Sequence, residues 1–235
     1  AIPLPNWNFT YNGLSKLPMF QDIFRNVAIK HQYKCTYNVG SFGNNLLYES
    51  MNGHPSAYNA SNNFIPEFEI ANVQVSEQFS PLIGVDVTMK NSLTASVQYK
   101  KARTLNLSFT NNQLTDNSTN EIVIGVGYRF KDVKFSVKSA SGSGKITNLK
   151  SDINVKFDFS IKDNVTVLRR IDEEVNQISA GQKMYSINFT ADYMLSRNLT
   201  MAFYYNQTIN RPYLSSSVDN STLNTGITLR FSLAQ

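Results

Sequence analysis

Few residues in this chain could do chemistry, and their spacing argues against it. His31, His54 and Cys35 are the soft or borderline metal ligands available. Residues four apart on a strand are separated by ~13 Å, so His31 and Cys35 cannot share one ion. His31 stands in an apolar row and is read as a packed or interfacial residue. The stretch Ser141-Gly142-Ser143-Gly144-Lys145 approximates a phosphate-binding loop, but Ser139 occupies the place of the first glycine and Ile146 that of the Ser or Thr. It is read as a plain loop. Asp172-Glu173-Glu174 lacks the alternating ligand spacing of a calcium loop and is read as solvated. Triplets such as Asn164-Val165-Thr166 and Asn188-Phe189-Thr190 follow from polar faces built of Asn and Thr. General acid–base work needs a His beside an acid or Ser on one polar face. Neither histidine sits on such a face, so the chain is read as a non-enzyme without metal or cofactor.

Composition bounds the class. Hydrophobic residues make up 41% of the chain and charged ones only 17%, below the roughly 25% of ordinary soluble domains. No apolar run approaches the ~18 residues of a membrane helix. A membrane form would therefore have to be a closed barrel, because lipid tolerates no open sheet edge. The net charge of +5 comes from scattered basic residues, so no nucleic-acid partner is indicated. A single cysteine excludes a disulfide within the chain. Ala1-Ile2-Pro3-Leu4-Pro5 lacks a charged and then apolar leader, which suggests a mature terminus or a start inside a longer chain.

What could position side chains is a repeating hairpin, clearest from Lys183 to Ile209. Tyr185, Ile187, Phe189, Ala191, Tyr193 and Leu195 alternate with Ser186, Asn188, Thr190 and Asp192, the period of a strand. Leu199, Met201, Phe203 and Tyr205 form the apolar row of the next strand. A turn at Ser196-Arg197-Asn198 would bring Leu195 to Leu199, Tyr193 to Met201, Ala191 to Phe203 and Phe189 to Tyr205. Each strand has about the 9–11 residues that cross a bilayer when tilted.

The same alternation gives strands at Trp7–Tyr11, Val27–Val39, Phe68–Phe79 with a bulge between Ile70 and Val73, Ile83–Met89, Leu93–Phe109, Ile122–Phe130 with a continuation to Val137, Ile153–Ile161, Val165–Ile171 and Leu223–Leu233. The count is about eleven, with long loops at 40–63, 139–152, 172–182 and 210–221. Turns are expected at Ser80-Pro81, Lys90-Asn91-Ser92, Thr115–Asn120 and Asp163-Asn164. By parity, Lys30, Lys34, Lys156, Lys162 and Arg230 are lumen-facing candidates. Phe157, Phe159, Phe189, Phe203, Leu229 and Phe231 are lipid-facing candidates. Lys101 and Arg103 interrupt an apolar row, so either that strand projects past the membrane or a bend lies at 100–102. The expected class is an all-β, antiparallel up-and-down transmembrane barrel in the outer membrane of a Gram-negative bacterium. With the C-terminus periplasmic, the four long loops would lie outside. The short turn at Asn91 would also fall outside, against the turn asymmetry of such barrels.

LPNWNFTYNGLSKLPMF at 4–20, FSPLIGVDVTMKNSLTASVQYKKARTLNLSF at 79–109, EIVIGVGYRF at 121–130 and the region from Lys183 together resemble the C-terminal part of the SprA/Sov family. That family is the outer-membrane translocon of the type 9 secretion system in Bacteroidota. The resemblance implies that the chain is the closing section of a very large barrel, with the rest of the barrel upstream in the same polypeptide. It also implies passage of folded cargo proteins with C-terminal sorting domains, and partners such as a PorV-type shuttle barrel and a plug protein. The alternatives are a small-solute porin or a TonB-dependent transporter barrel and, more remotely, a soluble glycan-binding β-sandwich.

The assignment of faces is testable. Phe157→Arg places a charge on the apolar face near mid-strand and should cost roughly 2–4 kcal/mol of insertion stability. Lys156→Glu, one residue away on the polar face, should leave assembly nearly intact. Heat-modifiable gel mobility in membranes reads both, and equal assembly would reject the assignment.

Overall fold

The computed structural model describes residues 5–138, 146–173, 175–196, 199–214 and 217–232. Its strands are β1 (Trp7–Tyr11), β2 (Phe24–Gly40), β3 (Gly43–Asn44), β4 (Ser50–Met51), β5 (His54–Pro55), β6 (Phe68–Glu69), β7 (Asn72–Met89), β8 (Leu93–Ser108), β9 (Gln113–Lys138), β10 (Ile146–Arg170), β11 (Val175–Ser196), β12 (Leu199–Pro212) and β13 (Asn220–Phe231). One antiparallel sheet of nine strands runs β1-β2-β7-β8-β9-β10-β11-β12-β13. The two-residue pairs β3–β6 and β4–β5 brace the excursion between β2 and β7. A 3-10 turn at Gly13–Lys16 and a single helical turn, α1 (Pro18–Gln21), join β1 to β2. Pro18 begins α1, where a missing N–H costs nothing.

The register of the hairpin at 183–209 is as its apolar pattern requires. Tyr193 faces Met201, Ala191 faces Phe203 and Phe189 faces Tyr205. Leu195 does not meet Leu199: a register shift between Met194 and Ser196 puts Ser196 opposite it. The turn residues Arg197 and Asn198 lie outside the described residues. Trp7–Tyr11 is a five-residue strand as expected, and Leu93–Ser108 runs without a register shift against β9. Residues 100–102 are therefore strand interior.

Other expectations are corrected. The main sheet has nine strands rather than about eleven, because the expected turns at Ser80-Pro81 and Asp163-Asn164 are strand interior, and a third turn is displaced. Asp163 and Asn164 are turn-prone residues, yet β10 passes through them and they pair with Asn120 and Thr119 on one side and with Lys183 and Gln182 on the other. Pairing on both sides overrides local preference here. Thr115–Asn120 belongs to β9, and the turn lies at 109–112. Ser80-Pro81 is a bulge within β7: three residues between Phe79 and Ile83 oppose the single Lys100 of β8. A bulge is where a sheet tolerates a residue that cannot donate to the ladder. Two extra residues keep the parity, so the apolar row resumes on the same face. The parity change at 70–73 is a break between β6 and β7 rather than a bulge. A one-residue bulge does occur at Ser179 of β11, whose hydroxyl donates to the Thr166 carbonyl at 3.3 Å. Of the expected loops, 139–145 lies outside the described residues and 146–152 is part of β10. The loop at 172–182 shrinks to 171–174, and that at 210–221 to 213–219.

Removing the false turns reassigns the ends of the sheet. The 41–71 excursion and the connections at 109–112, 171–174 and 213–219 gather at one end. The connections at 12–23 and 90–92, the end of β9 with the start of β10, the end of β11 with the start of β12, and the end of β13 gather at the other. The turn at Asn91 thus shares an end with the end of β11. The end of β9 lies opposite the 41–71 excursion and the ends of β10 and β12.

Hydrogen exchange checks the corrected topology. Amides of Lys162 to Val165 should exchange more than ~100-fold more slowly than those of Thr110 to Asn112, since paired strand interiors open far less often than turns. Equal rates would restore the turn at Asp163-Asn164.

Candidate functional site

The register resolves the sheet into two faces of opposite chemistry. One cross-strand row runs through all nine strands: Tyr11, Ile29, Val85, Val97, Ile124, Phe159, Ile187, Gln207 and Leu223. Gln207 alone breaks its apolar character. The next row carries Val27, Val87, Ala95, Val126, Phe157, Phe189 and Tyr205. Apart from Val27 these side chains are not buried: Val97 is 52% and Leu223 56% exposed. Phe157, Phe159, Phe189, Phe203, Leu229 and Phe231 all lie on this face. Among the described residues the buried apolar set is Val27, Ala28, Tyr33 and Tyr193, which is too few to make a core.

At the β1 edge an aromatic cluster closes the apolar face. Trp7 stacks on Tyr33 with centroids 4.4 Å apart, and Phe79 lies 4.9 Å from Tyr33. His31 sits among them, its Nδ1 2.6 Å from the Leu82 carbonyl, which the β7 bulge leaves unpaired. His31 is thus a packed residue with a satisfied nitrogen. Among the described residues no group of His, Cys, Asp and Glu is arranged to hold a metal.

The opposite face is polar. Lys30, Lys34, Lys156, Lys162 and Arg230 all fall on it, among Asn, Thr, Ser and Gln. Much of the charge is neutralised in place. Lys30 pairs with Asp86 at 2.6 Å, Lys156 with Asp158 at 2.9 Å, and Lys100 with Glu121 at 3.6 Å. Gly125 makes room for this: a Cβ there would meet Asp158 and Ser96 oxygens at 2.6 Å. Arg230 lines a cavity of about 360 Å³ with Asp192, Thr200, Ala202 and Thr228.

Beyond the apolar band, toward the 41–71 end, the apolar face turns charged. Here the sequence reading missed a cluster. Asp116, 7% exposed, accepts from Arg103 Nε at 3.0 Å and Nη2 at 2.7 Å, and Arg169 Nη2 lies 3.4 Å away. The hydrogen bonds from Arg103 hold the Asp116 carboxyl below the usual carboxylate range. The signal was Arg103 in an apolar row; its partner was hidden by the turn expected at 115–120. The neighbouring row carries Lys101, Asn120, Asp163, Lys183 and Arg211. Tyr213 seats its ring over Gly181, where a Cβ would meet it at 2.7 Å, and donates to Asp163 at 2.7 Å. That bond to a carboxylate is the main reason its phenol is pushed up to about 12.

No helix among the described residues is long and apolar enough to cross a membrane. No protein-family model and no curated protein matches this sequence.

Asp116→Asn should destabilise the folded sheet by ~1–2 kcal/mol at neutral pH, because a charged acceptor shared by two guanidiniums is lost. The folded pKa lies below the unfolded one. The stabilisation is therefore complete above the ordinary carboxylate value and is lost as pH falls through the lowered one. Denaturant midpoints from about pH 6 to about pH 3 should fall more steeply for the native chain than for the variant. Parallel curves would remove Asp116 from the account.

Proposed function

We propose that this chain is a wall section of a transmembrane β-barrel in an outer membrane, and that the whole barrel conducts proteins. The observation that carries the membrane reading is the apolar row running unburied through nine hydrogen-bonded strands, backed by a polar face. A soluble sandwich would hide such a face beneath a second sheet, and the other two sheets are two-residue ladders.

The sheet is open at β1 and β13. In lipid each edge must be paired, since an unsatisfied backbone group costs several kcal/mol. Five positions on β1 match poorly the twelve on β13, so further strands of a larger barrel suit these edges better than each other. The protein-conducting reading rests on the resemblance to the SprA/Sov translocon, and the polar face is consistent with it. A surface of Asn, Thr and Ser with Lys30, Lys100 and Lys156 ion-paired offers passing polypeptide little apolar surface and a reduced field to adhere to. On this reading the 41–71 end faces outward and the end of β13 faces the periplasm. The shuttle barrel, the plug protein and cargo with C-terminal sorting domains are the partners it implies.

The test is photo-crosslinking in cells with a benzophenone amino acid at Thr190 on the polar face and, separately, at Phe189 beside it. Thr190 should trap secreted proteins in transit while Phe189 traps none. No protein adduct from Thr190 in secreting cells would favour a small-solute porin or transporter. Equal trapping from both would reject the face assignment.

A further inference from the structure

Immediately beyond the apolar band, on the same face, Lys101, Lys183 and Arg211 project from β8, β11 and β12 in one cross-strand row. Arg103 and Arg169 stand further toward the 41–71 end. We propose that this row is a binding shelf for the phosphate of an anionic lipid headgroup, with the acyl chains lying on the apolar rows below. The proposal rests on the membrane reading above and adds a specific lipid contact to it.

The row spacing fits. One step along a face is two residues, ~6.6 Å, so the shelf lies a single step above Tyr99, Ile122, Ile161, Tyr185 and Ile209. That is the depth at which long basic side chains reach headgroups while their stems cover apolar surface. Tyr99 and Tyr185 mark the border as interfacial aromatics do. Arg211 lies over the Tyr185 ring, 5.6 Å from its centroid, which fixes the guanidinium on this face. The shelf's counter-charge is incomplete. Within the row Asp163 supplies one negative charge, hydrogen-bonded by the Tyr213 phenol, and Arg211 pairs with Asp219 at 3.8 Å, while Asp116 is held by Arg103 and Arg169. Among the described residues Lys101 and Lys183 have no carboxylate within 4.0 Å, as Lys34 and Lys162 have none on the opposite face. The row therefore carries more positive than negative charge at the rim of the apolar face, where an anionic surface would meet it.

The purified protein in neutral detergent is titrated with phosphatidylglycerol, with phosphatidylcholine of the same acyl length and with inorganic phosphate, and bound molecules are counted by native mass spectrometry. Phosphatidylglycerol should bind the native protein ~100-fold more tightly than the triple variant K101Q/K183Q/R211Q, about the sum expected for three interfacial cations. Lys101→Gln and Lys183→Gln alone should each lose several-fold, and the polar-face control Lys156→Gln should lose nothing. Unchanged binding in the triple variant, an equal loss in Lys156→Gln, or inorganic phosphate competing as well as the lipid would overturn the shelf. Phosphatidylcholine and phosphatidylglycerol bound alike would reject the shelf and leave the membrane reading standing. A protein soluble without detergent that takes up neither lipid would reject both.

Discussion

The structure depends on the closure of backbone hydrogen bonds within a single layer. From β2 to β12 every main-sheet strand has a neighbour on both sides, so over the doubly paired stretches the ladder satisfies the main chain without a second layer. Only then can one face be apolar and uncovered over nine strands, because an orphaned N–H or C=O away from water is costly. The irregularities respect the same rule. The carbonyl of Leu82, released by the β7 bulge, is taken up by His31. Beyond the end of β1, the backbone N–H of Cys35 finds the Asn6 side chain at 2.6 Å.

Parity is the second constraint, and it follows from the first. A one-residue slip would invert every side chain beyond it. The β7 bulge inserts two residues and so preserves the faces across the apolar band. The one-residue bulge at Ser179 lies past the band, between the Thr166–Ala180 and Val167–Ile178 pairs, so the change of face falls outside it. Charge is sorted by the same geometry. On the polar face Lys30, Lys100 and Lys156 are paired with nearby carboxylates, while Lys101, Lys183 and Arg211 stand at the rim of the apolar band. A strand that continues past the band explains how Lys101 and Arg103 can share a row with Val97 and Tyr99: they belong to the portion beyond it.

The sequence by itself determined the two faces. Side-chain alternation is a property of one strand, so Phe157 and Lys156 could be assigned to opposite faces without knowing their neighbours. The hairpin at 183–209 was also legible, because both of its strands carry their apolar rows within a few residues of the turn. Tertiary structure decided the rest, because strand length and pairing are not local. Asp163-Asn164 and Thr115–Asn120 have the composition of turns, and only neighbours on both sides hold them extended. Asp163-Asn164 decides at which end β9 finishes and β10 begins, and why the Asn91 turn is no exception. The Arg103–Asp116–Arg169 cluster joins residues 13 and 53 apart in sequence. No periodicity links them, since they meet only where three long strands run side by side past the apolar band.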